Sequence, residues 1–231
     1  MLSLDQATIT LGDFRLTADL SFPTGLTAIV GPSGGGKSTL LAALAGFQDL
    51  TAGRVLWQTA DITHHAPGNR PIAMLFQDNN LFPHLTVAQN VGLALHPSLR
   101  LTADDRTRVD HALDQVGLAG LGQRKPAALS GGQQSRAALA RVLLADKPVI
   151  LLDEPFAALG PGLKAEMLAL VDAILKDPAR TVIMVTHNPD DALSVADQVV
   201  FIGDGVAMPP VPTQELFSNP PAALRTYLGR A

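Results

Sequence analysis

The chain has 231 residues, a formal net charge of -4, 47% apolar and 16% charged residues, and no cysteine. That length and apolar content suit one large domain, or one with an inserted lobe, and exclude a chain disordered by composition. An acidic balance without a basic run disfavours nucleic acid as a partner, and the lack of thiols excludes a disulfide framework and a thiolate metal site.

The opening MLSLDQATIT lacks the basic start and apolar stretch of a secretory signal. No apolar run approaches the ~20 residues of a membrane span, so a soluble protein that meets a membrane through a partner or through weak surface contact is expected. Leu2–Leu20 and Arg54–Ile62 alternate roughly apolar and polar, which predicts half-exposed antiparallel strands. Leu26–Val30 is a continuous apolar run of the kind that forms a strand buried on both faces of a parallel sheet. It leads into a glycine-rich loop and a helical pattern over Lys37–Phe47. Pro71–Phe76 predicts a second buried strand and ends at Gln77.

From about Asp78 to Lys147 the texture changes to helical patterns broken by Pro83, Pro97 and Pro126. This stretch is read as a helical lobe, 78–147, inserted into an α/β core made of 1–77 and 148–231. Helices are predicted over Gln133–Ala145 and Leu163–Leu175, and buried strands over Val149–Leu152, Thr181–Val185 and Val199–Ile202. The proline-rich tail from Pro209 offers a core only Leu216, Phe217 and Leu224. Alternation of strands and helices makes the fold class α/β.

Four predicted strands end in chemistry: Gly31, Gln77, the pair Asp153–Glu154, and Thr186–His187. Ligands of open α/β sheets bind beyond the carboxyl ends of the strands, so these four tips point to one site. Gly31–Ser38 reads G-P-S-G-G-G-K-S. Glycines let the backbone curl several N–H groups toward one anion, and the following helix adds its positive end. Gly31, Pro32, Ser33, Gly34, Gly35, Gly36, Lys37, Ser38 and Thr39 are therefore candidates to hold a triphosphate, with Lys37 on the β- and γ-phosphates and the Ser38 hydroxyl on magnesium. Asp153 is placed to hold the same ion through water, and Glu154 to act as general base on an attacking water. Gln77 can contact magnesium and the water, and His187 the γ-phosphate. L-S-G-G-Q at Leu129–Gln133 predicts a second anion-ready helix start, capped by Ser130. By themselves, those residues favour a well-capped helix with no ligand.

Taken together, these motifs resemble the ATP-binding subunit of an ATP-binding-cassette transporter, over residues 2 to about 205. The resemblance implies a P-loop NTPase (RecA-like) core with an antiparallel β subdomain and an inserted α-helical subdomain. It implies ATP and Mg2+ as ligands and a head-to-tail homodimer. In that dimer each ATP lies between Lys37 and Ser38 of one copy and Ser130, Gly131, Gly132 and Gln133 of the other. It further implies a transmembrane permease touching the lobe near Gln77–Asn90, a periplasmic substrate-binding protein acting indirectly, and a peripheral position on the cytoplasmic face of the inner membrane. Arg70–Leu95 is similar to bacterial importer subunits, those of thiamine importers in particular, while iron, sulfate and polyamine importers have similar ATPases. A non-transport cassette ATPase and a low-turnover regulatory module remain alternatives. Three positions depart from the family pattern. Ala157-Ala158-Leu159-Gly160 stands where Ser-Ala-Leu-Asp is usual, Leu11 stands at the position of an adenine-stacking aromatic with Phe14 the nearest ring, and Gln134-Ser135 precedes Arg136.

Overall fold

The structure, a computed structural model, describes residues 1–157, 159–175 and 179–228. Ala158 lies outside the described residues, as does the end of the tail, 229–231.

Strands β1 (Leu2–Leu11), β2 (Phe14–Phe22), β4 (Ala52–Trp57) and β5 (Ala60–Asp61) form an antiparallel layer. Their alternation has one purpose. Leu2, Leu4 and Ile9 on β1 and Leu16, Leu20 and Phe22 on β2 all point inward, paired as Leu2↔Phe22, Leu4↔Leu20 and Ile9↔Leu16. The second layer is parallel and contains β3 (Gly25–Val30), β6 (Ile72–Leu75), β7 (Val149–Asp153), β8 (Thr181–Val185) and β9 (Gln198–Gly203). Their order is β9-β3-β8-β7-β6, and every residue of β7 and β8 is buried, as expected of strands covered on both faces. The short β10 (Val206–Ala207) joins β9 to β2 and so links the two layers, while β11 (Val211–Pro212) lies beside β9.

Helix α1 (Lys37–Ala45) lies between the layers. Leu40, Leu41 and Leu44 are fully buried there, in one cluster with Leu4 and Ile9 of the antiparallel layer and Ile29, Leu151 and Ile183 of the parallel one. The helix stops two residues before its predicted end. Gly46 takes a left-handed φ of 85°, its N–H and that of Phe47 close on the carbonyls of Ala43 and Ala42, and Phe47 turns out to solvent.

On the opposite face, α2 (Val87–Gly92), α3 (Ala103–Gln115), α4 (Gly131–Leu144) and α5 (Pro161–Leu175) pack into a second cluster with Leu75, Ile150, Leu152 and Met184. Helices α2, α3 and α4 all fall within residues 78–147, and the described residues of that stretch contain no strand. Helix α4 begins two residues earlier than predicted, because Ser130 and Gln133 form a reciprocal capping box. Helices α6 (Pro189–Val195), α7 (Thr213–Ser218) and α8 (Ala222–Tyr227) cover the remaining face, where Leu216, Phe217 and Leu224 meet Val30 and Phe201.

One buried cation ties the antiparallel layer's last loop to α1. Arg70 is 3% exposed and donates to the carbonyls of Ala43 and Leu44 at the end of α1, at 2.9 and 2.7 Å, and to Thr63 and His65 at 2.7 and 3.0 Å. It adds a second donor to the Ala43 carbonyl, which the Gly46 N–H also meets, and caps the Leu44 carbonyl, and its charge suits that end of the helix dipole. Arg70→Met removes these charge-assisted bonds and leaves the carbonyls buried. It is expected to destabilise the protein by about 2–4 kcal/mol, read from the midpoint of urea unfolding. A midpoint equal to that of the unchanged protein contradicts this account of the junction.

Candidate nucleotide site

Strand β3 ends at Val30 and the chain turns through 31–36 into α1. The curl depends on glycine at two points. A side chain at Gly31 would run into the carbonyl of Ile202 on β9, and Gly36 has a left-handed φ of 99° with Phe14 Cζ 2.6 Å from where a Cβ would stand. Helix α1 begins with no side-chain cap, so its first N–H groups are left for another acceptor.

The cleft beside this loop measures about 460 Å3 and is lined by Leu11, Phe14, Ser33, Gly34, Gly36, Lys37, Ser38, Thr39 and Glu154. Phe14 is half-buried against Gly36, and Leu11 is 45% exposed at the cleft's rim. A second depression of about 580 Å3 lies between α5 and α6 and shares no residue with the cleft.

Lys37 is only 6% exposed, and its ammonium donates to the carbonyls of Gly31 and Pro32, both at 3.0 Å. Burial pulls its pKa down, while the carboxylates of Glu154 and Asp153 act to keep the proton on. Across the cleft, Ser38 Oγ donates to Asp153 Oδ1 at 2.9 Å. Burial pushes the Asp153 carboxyl above its ordinary pKa; the Ser38 bond and Lys37 oppose that push and Glu154 adds to it. Glu154, one residue beyond β7, has a left-handed φ of 43°, an uncommon conformation for a side chain of this type, and its N–H bonds the carbonyl of Val185 at 3.2 Å. That turn brings its carboxylate to 3.4 Å from Nδ1 of His187, at the tip of the neighbouring β8.

The parallel sheet thus brings Lys37, Ser38, Asp153, Glu154 and His187 to one edge. Gln77 lies in the turn after β6, exposed and outside the residues that line the cleft. Ser130, Gly131, Gly132 and Gln133 do not line it either: Ser130 and Gly131 stand exposed at the start of α4. Gly160 is exposed, with open space where a side chain would project.

Nothing in the sequence points to Arg141. Helix α4 carries it to the turn that follows β6, where it donates to the carbonyls of Asn79 and Asn80 at 2.9 and 2.8 Å. Both asparagines have left-handed φ, and the guanidinium fixes the turn that starts at Gln77 to the helix that starts at the L-S-G-G-Q run. An arginine in a helical pattern gives no sequence signal for a carbonyl partner some sixty residues away.

A hydroxyl and one carboxylate in contact suit magnesium, which takes few protein ligands and keeps water and phosphate oxygens for the rest. Among the described residues no group of three or more His, Cys, Asp or Glu is arranged to cage an ion.

A family model described as ABC transporter matches residues 18–157. The thiamine import ATP-binding protein ThiQ of Cereibacter sphaeroides is 57% identical over 230 residues, covering 99% of this chain and 100% of that protein. The protein of the same name from Mesorhizobium japonicum is 47% identical over 228 residues, covering 98% and 90%. Among solved structures, a dimeric post-hydrolysis state of the ATP-binding cassette MJ0796 bound to ADP and Pi superposes with a TM-score of 0.80 at 28% identity, covering 92% of this chain and 99% of that one.

A carboxyl whose pKa is raised by folding binds more protons folded than unfolded, so its contribution to stability is present below the unfolded pKa and is lost as pH rises through the folded one. Ionised Asp153 therefore costs the nucleotide-free protein stability at neutral pH. Asp153→Asn is expected to raise the melting temperature without nucleotide or magnesium at neutral pH, and the gap should close as pH falls below the carboxylate range. A variant that melts at or below the unchanged protein's temperature at neutral pH contradicts this.

Proposed function

The chain belongs to the ABC transporter family, and from that premise we propose that it is the ATP-binding and ATP-hydrolysing subunit of a thiamine importer. The observation that carries the reading is the meeting, at one sheet edge, of a glycine-rich loop, a buried lysine, a Ser38–Asp153 pair and the Glu154–His187 pair. The names of the relatives from Cereibacter and Mesorhizobium support thiamine over iron, sulfate or a polyamine as the imported molecule.

In this reading the triphosphate lies on the N–H groups of residues 34–39, and Lys37 exchanges the carbonyls of Gly31 and Pro32 for phosphate oxygens. Ser38 and Asp153 hold magnesium, which neutralises phosphate charge when bound. Glu154 accepts the proton of the attacking water as the bond between the β,γ-bridging oxygen and the γ-phosphorus breaks, giving ADP and phosphate. His187, beside Glu154, hydrogen-bonds the γ-phosphate. Phe14 and Leu11 offer the base an apolar rim. Gln77 joins the water and the ion only if its turn moves inward, and Arg141 is the group that carries such a motion to α4.

The exposed start of α4 supports a second role. In a head-to-tail pair, Ser130, Gly131, Gly132 and Gln133 of one copy cover the nucleotide held by the other, and the dimeric state of the cassette MJ0796 supports such pairing. No helix among the described residues is long and apolar enough to cross a membrane. The relatives' names, import ATP-binding proteins, support a permease as the membrane partner, with a periplasmic thiamine-binding protein beyond it. Phe47 and Phe82, 58% and 43% exposed, flank the Gln77 turn and give the permease an apolar place to dock on the cytoplasmic face.

The test has two parts. Lys37→Ala is expected to abolish ATP turnover, and Glu154→Gln to retain ATP binding while slowing hydrolysis by about a hundredfold or more. In a deletion strain, uptake of labelled thiamine should return with the unchanged gene and not with either variant. Normal turnover by Glu154→Gln removes that residue from the role of base, and normal thiamine uptake without the gene removes the substrate assignment.

A further inference from the structure

The backbone that carries His187 is held from two directions. On one side, Thr186 Oγ1 donates to Asp191 Oδ2 at 2.9 Å, Lys164 of α5 reaches the same oxygen at 3.3 Å, and the N–H of Asn188 bonds Thr186 Oγ1 at 3.1 Å. These contacts fold the loop after β8 into a tight turn on α5 and α6. On the other side, the hydroxyl of Tyr227 donates to the main-chain carbonyl of His187 at 2.6 Å, from a residue 40 positions away.

Tyr227 ends α8, and its ring packs on the core cluster that includes Val30, Ala192 and Phe201. A phenol ring has only two side-chain torsions, so a ring held by packing delivers its hydroxyl to a fixed point. Burial and the Glu154 carboxylate both push the phenol above its ordinary pKa, which keeps it a donor at neutral pH. Tyr227, His187 and Glu154 therefore form a row: phenol to main-chain carbonyl, and imidazole to carboxylate at 3.4 Å.

We infer that Tyr227 is a positioning residue for ATP hydrolysis, holding the His187 main chain so that its imidazole stands between Glu154 and the terminal phosphate. This inference rests on the roles proposed above for Glu154 and His187. The C-terminal helix then has a catalytic consequence although it does not line the nucleotide cleft. Displacing α8 frees the His187 carbonyl and lets the imidazole leave Glu154.

Tyr227→Phe deletes one hydroxyl and keeps the ring in its core, so it separates positioning from packing. In the full-length protein we expect kcat to fall roughly three- to tenfold, the size of one hydrogen bond, with KM for ATP unchanged. The chain has six histidines, and in nucleotide-free protein at fixed pH the imidazole NMR signal of His187 should move while the other five hold. A normal kcat overturns the inference, and so does a reduced kcat with an unmoved His187 signal. His187→Ala, measured alongside, separates this failure from that of the site: normal turnover there overturns the role of His187 itself, and with it the inference.

Discussion

The ammonium of Lys37 is the constraint around which the rest of the structure is arranged. A cation that is 6% exposed persists only if enough acceptors meet it. Here the carbonyls of Gly31 and Pro32 bond it directly, and Glu154 and Asp153 favour its charge from beyond. The carbonyls are available because glycine lets the loop double back over the start of α1. The carboxylates are available because β7 lies one strand away from β3, across β8. The arrangement gathers a lysine, two carboxylates and an uncapped helix start without filling the space between them, which supports the proposed binding of a triphosphate with its metal.

The same sheet order explains why neighbouring tips act together. Strands β3, β8 and β7 are adjacent and parallel, so their carboxyl ends fall at one edge: the phosphate loop, His187, and Asp153–Glu154 in turn. Strand β6 stands outside β7, which leaves the Gln77 turn at the margin and within reach of α4 through Arg141. The site thus has one part on the central strands and another attached to the helical face.

Much of this was legible in the sequence, for reasons that can be stated. Buried parallel strands are continuous apolar runs, so Leu26–Val30 and Val149–Leu152 announced themselves, and each was followed by residues that no core requires. Ser130 as a helix cap is legible from its residue type just ahead of a helical pattern, while its reciprocal bond with Gln133 is seen only in the structure. Helix ends were less legible: apolar Phe47 extends the helical pattern, but Gly46 takes the left-handed turn that stops it. Long-range polar contacts were not legible at all. Arg70 against the end of α1, Arg141 against the Gln77 turn and Tyr227 against His187 each depend on where the chain returns in space, and each partner is a main-chain carbonyl, which every residue possesses. The left-handed turn at Glu154 was equally hidden, since nothing in the residue type favours it.

The most direct test of the central claim is a crystal structure of the protein with magnesium and a non-hydrolysable ATP analogue. The account predicts that Lys37 Nζ leaves the carbonyls of Gly31 and Pro32 for the β- and γ-phosphates, with the phosphates on the N–H groups of residues 34–39 and the metal between Ser38 and Asp153. A nucleotide bound elsewhere, or bound while the lysine keeps both carbonyls, contradicts it.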